Sequence, residues 1–321
     1  MHHNQPTCPI CQNQASQLCF FSSSNADGRT REIIGLLNCL KCNTYFTDPL
    51  IYKNQTNFQE QYERGVYRSK KNILSSLIDG FLAIIIDIKI NKIAAMVKPE
   101  VNLLDVGCGK GRFLSRVKKA GWAGLGLEPT KKQAEFGIDN YGIKVMTGNI
   151  ADFMPDGQGF DVITSWHVLE HVDKPVEIIS SIRNLLKDNG LLVIEVPNFM
   201  SLQSGIGKDK WFHLDMPRHI VHYTKTSITL LLESGFNIQK IETFSFELGP
   251  YGLLQTLLNL LNFSPNLFYR WLKGCQLSEN RFEIILTIML AAVLLLPSIV
   301  LEYFASLFKA GGAIRIYATK K

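Results

Sequence analysis

The feature that most restricts the fold of this 321-residue chain is a glycine-rich turn set between a short apolar run and a helical segment. Val101-Asn-Leu-Leu-Asp105 has the apolar character of a buried strand, and it feeds Val106-Gly107-Cys108-Gly109-Lys110-Gly111. A helix is predicted from Arg112 to Ala120, with Phe113, Leu114 and Val117 on one face. Gly121 to Leu127 then reads as a second strand ending at Glu128, which lies 21 positions past Gly107. Strand, glycine turn, helix, strand and acid in this order build a nucleotide site at the carboxyl edge of a parallel sheet. The glycines admit a ligand close to the backbone, and Glu128 is placed to accept hydrogen bonds from ribose hydroxyls. NAD fits part of this pattern. Asp105, just before the loop, would repel a pyrophosphate and suits a ligand end that carries an ammonium group.

The segment from Leu104 to Phe113 resembles the first motif of the class I S-adenosylmethionine-dependent methyltransferases. The resemblance continues in register through Gly148-Asn149-Ile150-Ala151-Asp152, through Phe160 to Val172, and through a fifth strand from Leu191 to Asn198. In between, a helix is expected from Pro175 to Leu186, ended by Asn189-Gly190. The resemblance implies an α/β, Rossmann-like seven-stranded sheet with residues 99–249 as the catalytic core. It also implies S-adenosyl-L-methionine as cofactor, held by Asp105, Gly107, Cys108, Gly109, Gly111, Glu128, Asn149, Ile150 and His167. An acid is common where this chain has Asn149, and an amide oxygen there can still accept from an adenine amino group.

Methyl transfer from a sulfonium needs mainly alignment and exclusion of water. A hydroxyl acceptor also needs a base, and histidine is best placed for that by its pKa. His167 and His171 follow the fourth strand, while His213, His219 and His222 lie in the segment Lys210 to Thr224, ahead of a helix that Thr226-Ser227 would cap. Pro217-Arg218-His219 is similar to segments in a bacterial methyltransferase branch found with glycan and lipid biosynthesis. That resemblance implies that Pro217-Arg218-His219 belongs to an acceptor pocket, and His219 is the base expected there, with His213 and His167 as rivals. His171, Trp211, Arg218, His222 and Tyr223 are then its acceptor-binding residues. The alternative for each histidine singly is a hydrogen-bonded scaffold role.

Cys8-Pro-Ile-Cys11 and Cys39-Leu-Lys-Cys42 are two CxxC pairs separated by 27 residues. Each two-residue gap lets both thiolates of one knuckle reach a single tetrahedral zinc, and the two pairs together close a four-sulfur structural site. Residues 1–50 are therefore expected to form a zinc ribbon, with a turn at Ala26-Asp27-Gly28-Arg29 and a strand at Ile33 to Leu37. The start of the chain has no apolar stretch of the signal-peptide kind, so a reducing, cytoplasmic setting is expected, in which paired cysteines read as metal ligands.

Charge and oiliness share an uneven distribution. Hydrophobic residues make up 46% and charged residues 19%, which excludes disordered and coiled-coil compositions. The net charge of +6 divides into +4 over residues 1–98, −2 over 99–249 and +4 over 250–321. A basic and apolar helical linker is expected over 51–98, where Arg64, Arg68, Lys70 and Lys71 precede an apolar run from Ile73 to Ile86. After a sixth strand (Phe236 to Phe246), a hydrophobic helical insertion over 250–310 delays the last strand, in 311–321, to Ala313–Ala318. Within the insertion, Ile284 to Leu301 is 18 residues without a charge, long enough to be a transmembrane candidate. A single crossing would strand the last strand across the bilayer. The insertion must return by two crossings, by a hairpin bent at Pro297 or as interfacial helices, or else it covers the core or a homodimer interface.

The function expected is methyl transfer, with oxygen as the favoured acceptor atom, to a small-molecule or lipid-linked compound such as a glycan precursor or quinone-like lipid. It would act as a peripheral or monotopic cytoplasmic enzyme. The alternatives are a noncatalytic zinc-ribbon adaptor on the same fold and a nucleic-acid methyltransferase. The mildly acidic core and the lack of an Asn-Pro-Pro-aromatic or Asp-Pro-Pro-aromatic motif speak against a nucleic-acid partner.

Overall fold

The computed structural model describes residues 6–14, 16–24, 31–49, 73–154, 157, 159–261, 264–275, 277 and 279–321. The expected turn at 26–29 and the basic cluster Arg64 to Lys71 lie outside the described residues.

A seven-stranded sheet carries the core. Its strands are β4 (Asn102–Val106), β5 (Ala123–Glu128), β6 (Lys144–Thr147), β7 (Phe160–Trp166), β8 (Leu186–Pro197), β10 (Phe236–Glu242) and β11 (Ala313–Lys320). They lie in the order β10-β11-β8-β7-β4-β5-β6. β4 to β8 run parallel, and β11 is inserted antiparallel between β8 and β10. This is the expected Rossmann-like α/β architecture. The helices α1 (Ile73–Ala94), α2 (Arg112–Lys119), α3 (Lys131–Tyr141), α4 (Pro175–Leu185), α5 (Leu202–Gly207) and α6 (Lys225–Glu233) accompany the sheet. Leu103, Leu104, Val162, Ile163 and Val193 are wholly or almost wholly buried, as the apolar strand runs require.

Several local boundaries differ from expectation: the sixth strand, β10, ends at Glu242 rather than Phe246. α4 stops at Leu185 and β8 begins at once, with Asn189 (φ 60°) turning inside the strand segment rather than ending the helix. The cap of α6 is Thr224, not Thr226-Ser227, because Thr224 and Ser227 exchange side-chain and backbone bonds as a capping box.

The N-terminal ribbon pairs β1 (Ser16–Ser24) with β2 (Arg31–Cys39) and β2 with β3 (Tyr45–Thr47), all antiparallel. A fourth strand, β9 (Val221–His222), joins from the catalytic chain by pairing with β3. Cys8, Leu37, Cys39 and Phe46 share one apolar cluster with Leu104, Ile163, Leu192 and Tyr223, so ribbon and sheet are packed as one body.

The insertion folds as α7 (Gly249–Leu261), α8 (Leu267–Leu272) and α9 (Arg281–Leu307). α7 and α9 run antiparallel, since Gly249 lies against Glu302 while Leu254 and Leu258 pack on Ala291. No hairpin forms at Pro297. α9 continues through it as one helix, since a mid-helix proline costs one backbone donor and a local clash rather than a chain reversal. α9 is long and apolar enough to cross a membrane, and most of its apolar stretch is exposed rather than buried against the body. Thr287, Ala291, Ser298, Glu302 and Ala305 face inward, and Phe282, Met289, Val293 and Leu296 face out.

Candidate active site

The cofactor edge is assembled from consecutive elements. Gly107, Gly109 and Gly111 all have positive φ (71°, 53° and 73°), a backbone that other residues rarely adopt. A Cβ on Gly107 would lie 2.5 Å from the Val168 side chain, so the loop closes directly onto the turn that follows β7. Glu128 is buried at the end of β5, where its carboxylate accepts from Gly109 N (2.9 Å) and Thr130 N (2.9 Å). Two backbone donors fix that carboxylate edge and leave lone pairs for further donors such as ribose hydroxyls.

Asp105, also buried, accepts from Thr164 Oγ1 at 2.7 Å. Burial raises its pKa to about 7, against the lowering effects of Thr164 and Lys89. Neither acid has a salt-bridge partner among the described residues, so the two acceptors suit a ligand that brings hydroxyls and a positive end. Asn149 stands exposed at the entry to a short helical turn (Ile150–Asp152), makes no capping bond, and has buried Ile150 beside it. The Cys108 thiol packs against Gly126 as a wall of the loop, and burial pushes it up.

Next to this edge lies a charge cluster that the sequence reading did not identify. His167 adopts φ 58° just beyond β7, with its Nε2 3.0 Å from Glu195 Oε1 and its Nδ1 3.8 Å from Glu170 Oε1. Glu195 is fully buried in β8 and is surrounded by Lys89 Nζ (3.4 Å), Arg315 and Ser245 Oγ (3.1 Å). Burial opposes its ionisation, but Arg315 and Lys89, with His167, hold it well below the usual carboxylate range. Burial alone would lower the pKa of His167, and Glu195 outweighs it and raises the imidazole above its usual 6.5. Lys89 lies over the Trp166 ring at 4.2 Å and also pairs with Glu247. The sequence did carry a signal: Glu195 and Arg315 are isolated charges inside apolar runs, and buried charges occur in pairs.

The segment from 213 to 223 lies at the same edge but is more interior than expected. His219 is buried, and its Nδ1 is 2.8 Å from the His213 carbonyl. Burial, then the neighbouring His171 and Arg218, keep its pKa well below the usual value, so it is neutral. His213 is held by the Leu248 carbonyl (3.1 Å), with burial lowering it to about 4. Trp211, His222 and Tyr223 are core residues: Trp211 Nε1 donates to Gln203 Oε1 (3.2 Å) and Tyr223 Oη to the Leu169 carbonyl (3.2 Å). Their apolar rings fill the seam between ribbon and sheet, which a local sequence pattern does not reveal. His171 stays half-buried, with Nδ1 3.1 Å from the Arg218 carbonyl and its ring 4.8 Å from that of His219. Arg218 is exposed and pairs with Asp215. Of the three candidate bases, His167 alone has a raised pKa; its side chain is 27% exposed, through ring carbons, while both ring nitrogens are buried.

The four cysteines meet as expected from their spacing. Cys8 and Cys42 sulfurs are 3.6 Å apart, Cys11 and Cys39 sulfurs 3.5 Å, and all four lie within 4.8 Å of one another. A tetrahedral centre with Zn–S bonds of about 2.3 Å has sulfur edges of about 3.8 Å, so the cluster is compatible with zinc. The two knuckles repeat one another. Gln12 N donates to Cys8 O (3.1 Å) and Asn43 N to Cys39 O (2.9 Å), with positive φ at Gln12 (59°) and Asn43 (55°). Burial raises the Cys8 and Cys42 thiols, while at Cys39 the backbone N–H groups of Cys42 and Lys41 outweigh burial and bring the pKa to about 7.

Comparison with known proteins bears on the same region. Residues 81–241, half of the chain, match the family described as "Methyltransferase domain". The ubiquinone biosynthesis O-methyltransferase of Glaesserella parasuis serovar 5 is 34% identical over 108 residues, 30% of this chain and 45% of that protein. The tRNA U34 carboxymethyltransferase of Aeromonas salmonicida is 35% identical over 103 residues, 29% of this chain and 31% of that protein. The chain thus spans less than half the length of the curated relatives it matches. A solved SAM-dependent methyltransferase from Archaeoglobus fulgidus aligns at 20% identity and TM-score 0.48, covering 78% of this chain and 100% of that one. With half its length in the family and the family's glycine loop and sheet around it, this chain belongs to the class I S-adenosylmethionine-dependent methyltransferases.

Proposed function

We propose that the enzyme methylates an oxygen of a small or lipid-linked acceptor at the cytoplasmic membrane surface, with His167 as general base. The observation that carries this reading is the turn after β7. Val168 touches the glycine loop, and the adjacent His167 is tied to Glu195. Bound S-adenosylmethionine supplies a methyl group on a positively charged sulfur. His167 accepts the hydroxyl proton as the oxygen–methyl bond forms and the carbon–sulfur bond breaks, and Glu195 stabilises the resulting imidazolium. Glu128 orients the cofactor ribose, Asp105 faces its cationic end, and the four cysteines hold a structural zinc.

The acceptor class rests on the insertion. Phe212, beside His213, meets Tyr251 of α7 (5.5 Å) and Tyr269 of α8 (5.4 Å), so the oily insertion borders the acceptor segment. Lys273, just past α8, has its pKa lowered by desolvation and then by Arg112, Lys110 and Arg218, of which Arg112 is paired with Asp79 and Arg218 with Asp215. The outward face of α9 supports membrane contact, while both its ends return to the folded body.

The test is transfer of labelled methyl from S-adenosylmethionine into fractions of a cell extract. Label entering the lipid or small-molecule fraction, and lost with His167→Ala, is the expected result. Label confined to RNA would overturn the acceptor class, and failure to bind S-adenosylmethionine would favour a noncatalytic adaptor. For the membrane, Val293→Glu with Leu296→Glu, at positions 70% and 68% exposed, is expected to move the protein from the membrane to the soluble fraction. Wild-type protein found wholly soluble would refute that part.

A further inference from the structure

The four-cysteine ribbon and the acceptor segment belong to one sheet, although they are far apart in sequence. β3 continues the ribbon just past Cys42, and Tyr45 pairs with His222 and Phe46 with Val221. Thr47 secures the end of this pairing. Its backbone N–H donates to the Ile220 carbonyl (2.8 Å), and its hydroxyl donates to the His219 carbonyl (2.7 Å). The same hydroxyl lies 3.4 Å from His222 Nε2. From the other side, Ile220 N donates to the Glu170 carbonyl at 2.6 Å, on the turn that carries His167 and His171. A second seam is apolar: Leu36 of β2 packs with Trp211, Leu214 and Met216.

A strand of two residues makes few ladder bonds of its own, so beside its ties to Glu170, Phe199 and Leu169 its order draws on the strand that receives it. β3 has three residues and depends in turn on the knuckles formed by Cys39 to Thr44. We infer that the ribbon is a positioning element of the acceptor site: metal held by the four cysteines orders β3, and Thr47 transmits that order to residues 219–222. The link between ribbon and segment stands on the geometry alone. Its consequence for catalysis rests on the acceptor role proposed above for this segment.

Hydrogen exchange on the full-length chain separates these possibilities, because it needs neither acceptor nor turnover. Zinc-loaded protein is compared with protein stripped by a chelator, alongside Thr47→Val and Thr47→Ser in the zinc-loaded state. Stripping is expected to speed exchange at residues 39–47 and 219–223 together, while residues 103–128 keep their protection and S-adenosylmethionine affinity stays unchanged. Thr47→Val keeps the shape but removes the hydroxyl. It is expected to retain zinc, to speed exchange at 219–223 by about two- to tenfold, and to shift the His222 ring resonances. Thr47→Ser is expected to restore both.

Loss of protection at 39–47 with 219–223 unaffected would overturn the inference. If stripping unfolds the whole chain, the Thr47 pair decides: Val and Ser variants that both match wild type at 219–223 and at His222 also overturn it. Failure of methyl transfer with the coupled exchange intact would count against the proposed function and leave the ribbon's role standing.

Discussion

The two halves of the candidate site are built over different distances along the chain. The cofactor half is nearly contiguous. Asp105, the glycine loop, Glu128 and Asn149 come from successive strands and turns of one βαβαβ run. The proposed acceptor half draws on His167 and Glu170 after β7, Glu195 in β8 and the 213–223 segment, with buried Thr47 of the ribbon behind that segment. A contiguous half can be shared across a family because its geometry is set by local backbone rules. A half assembled from distant pieces can change with every addition to the core, and here the additions, ribbon and insertion, both border it.

The sharpest way to break this division is at His167. His167→Ala is expected to lower kcat by about 10²- to 10⁴-fold while S-adenosylmethionine affinity is kept, as measured by stopped-time transfer assays and calorimetry. A parallel loss of cofactor binding would show the halves to be one unit. The pH profile tests the same residue. Glu195 favours the imidazolium and raises the pKa above 6.5, and the base must be deprotonated to work. Activity should therefore rise with pH, with its midpoint above 6.5, and fall away on the acid side. His167→Gln should flatten that limb, and an unchanged limb would remove His167 from the role.

Glu128→Ala tests the cofactor half with a smaller effect. It removes an acceptor anchored by two backbone bonds and is expected to weaken S-adenosylmethionine binding by about 10- to 100-fold. The exchange protection of residues 219–223 should not move. If it does, the acceptor half is not independent of the loop.

The same contrast explains what the sequence disclosed. The glycine turn, its flanking strands and the helix with Phe113, Leu114 and Val117 buried are local patterns, and each appears where periodicity placed it. The last strand was legible beyond a long insertion, because Ala313 to Ala318 carries a strand pattern whatever precedes it. The four-cysteine cluster was legible for a similar reason, since each knuckle is a self-contained turn. The pairing of Phe46 with Val221 has no such signature: two short apolar stretches 175 positions apart could pair with many others. Burial of Trp211 and Tyr223 follows from that pairing and was hidden with it. Pro-Arg-His drew His219 forward because it is a compact motif, whereas the approach of His167 to Glu195 requires β7 and β8 to lie side by side.

The smallest effect expected is at Asn149, and it sharpens the comparison most finely. Asn149 begins a helical turn without capping it, its side chain is exposed, and Gly148 N is bonded to the Glu128 carbonyl (3.1 Å). Asn149→Asp changes neither size nor backbone preference, and an acid suits the entry of a helical turn. A charged acceptor makes a hydrogen bond roughly twice as strong as a neutral one, so the adenine amino group should be held about two- to fivefold more tightly. Calorimetry with S-adenosylhomocysteine reads this directly, and tyrosine or histidine resonances near 219–223 report the other half. Tighter binding with those resonances still would mean that a purely local substitution tunes the cofactor half. No change, or weaker binding, would mean that the adenine lies elsewhere and that the contiguous half is shorter than the run from Asp105 to Ile150.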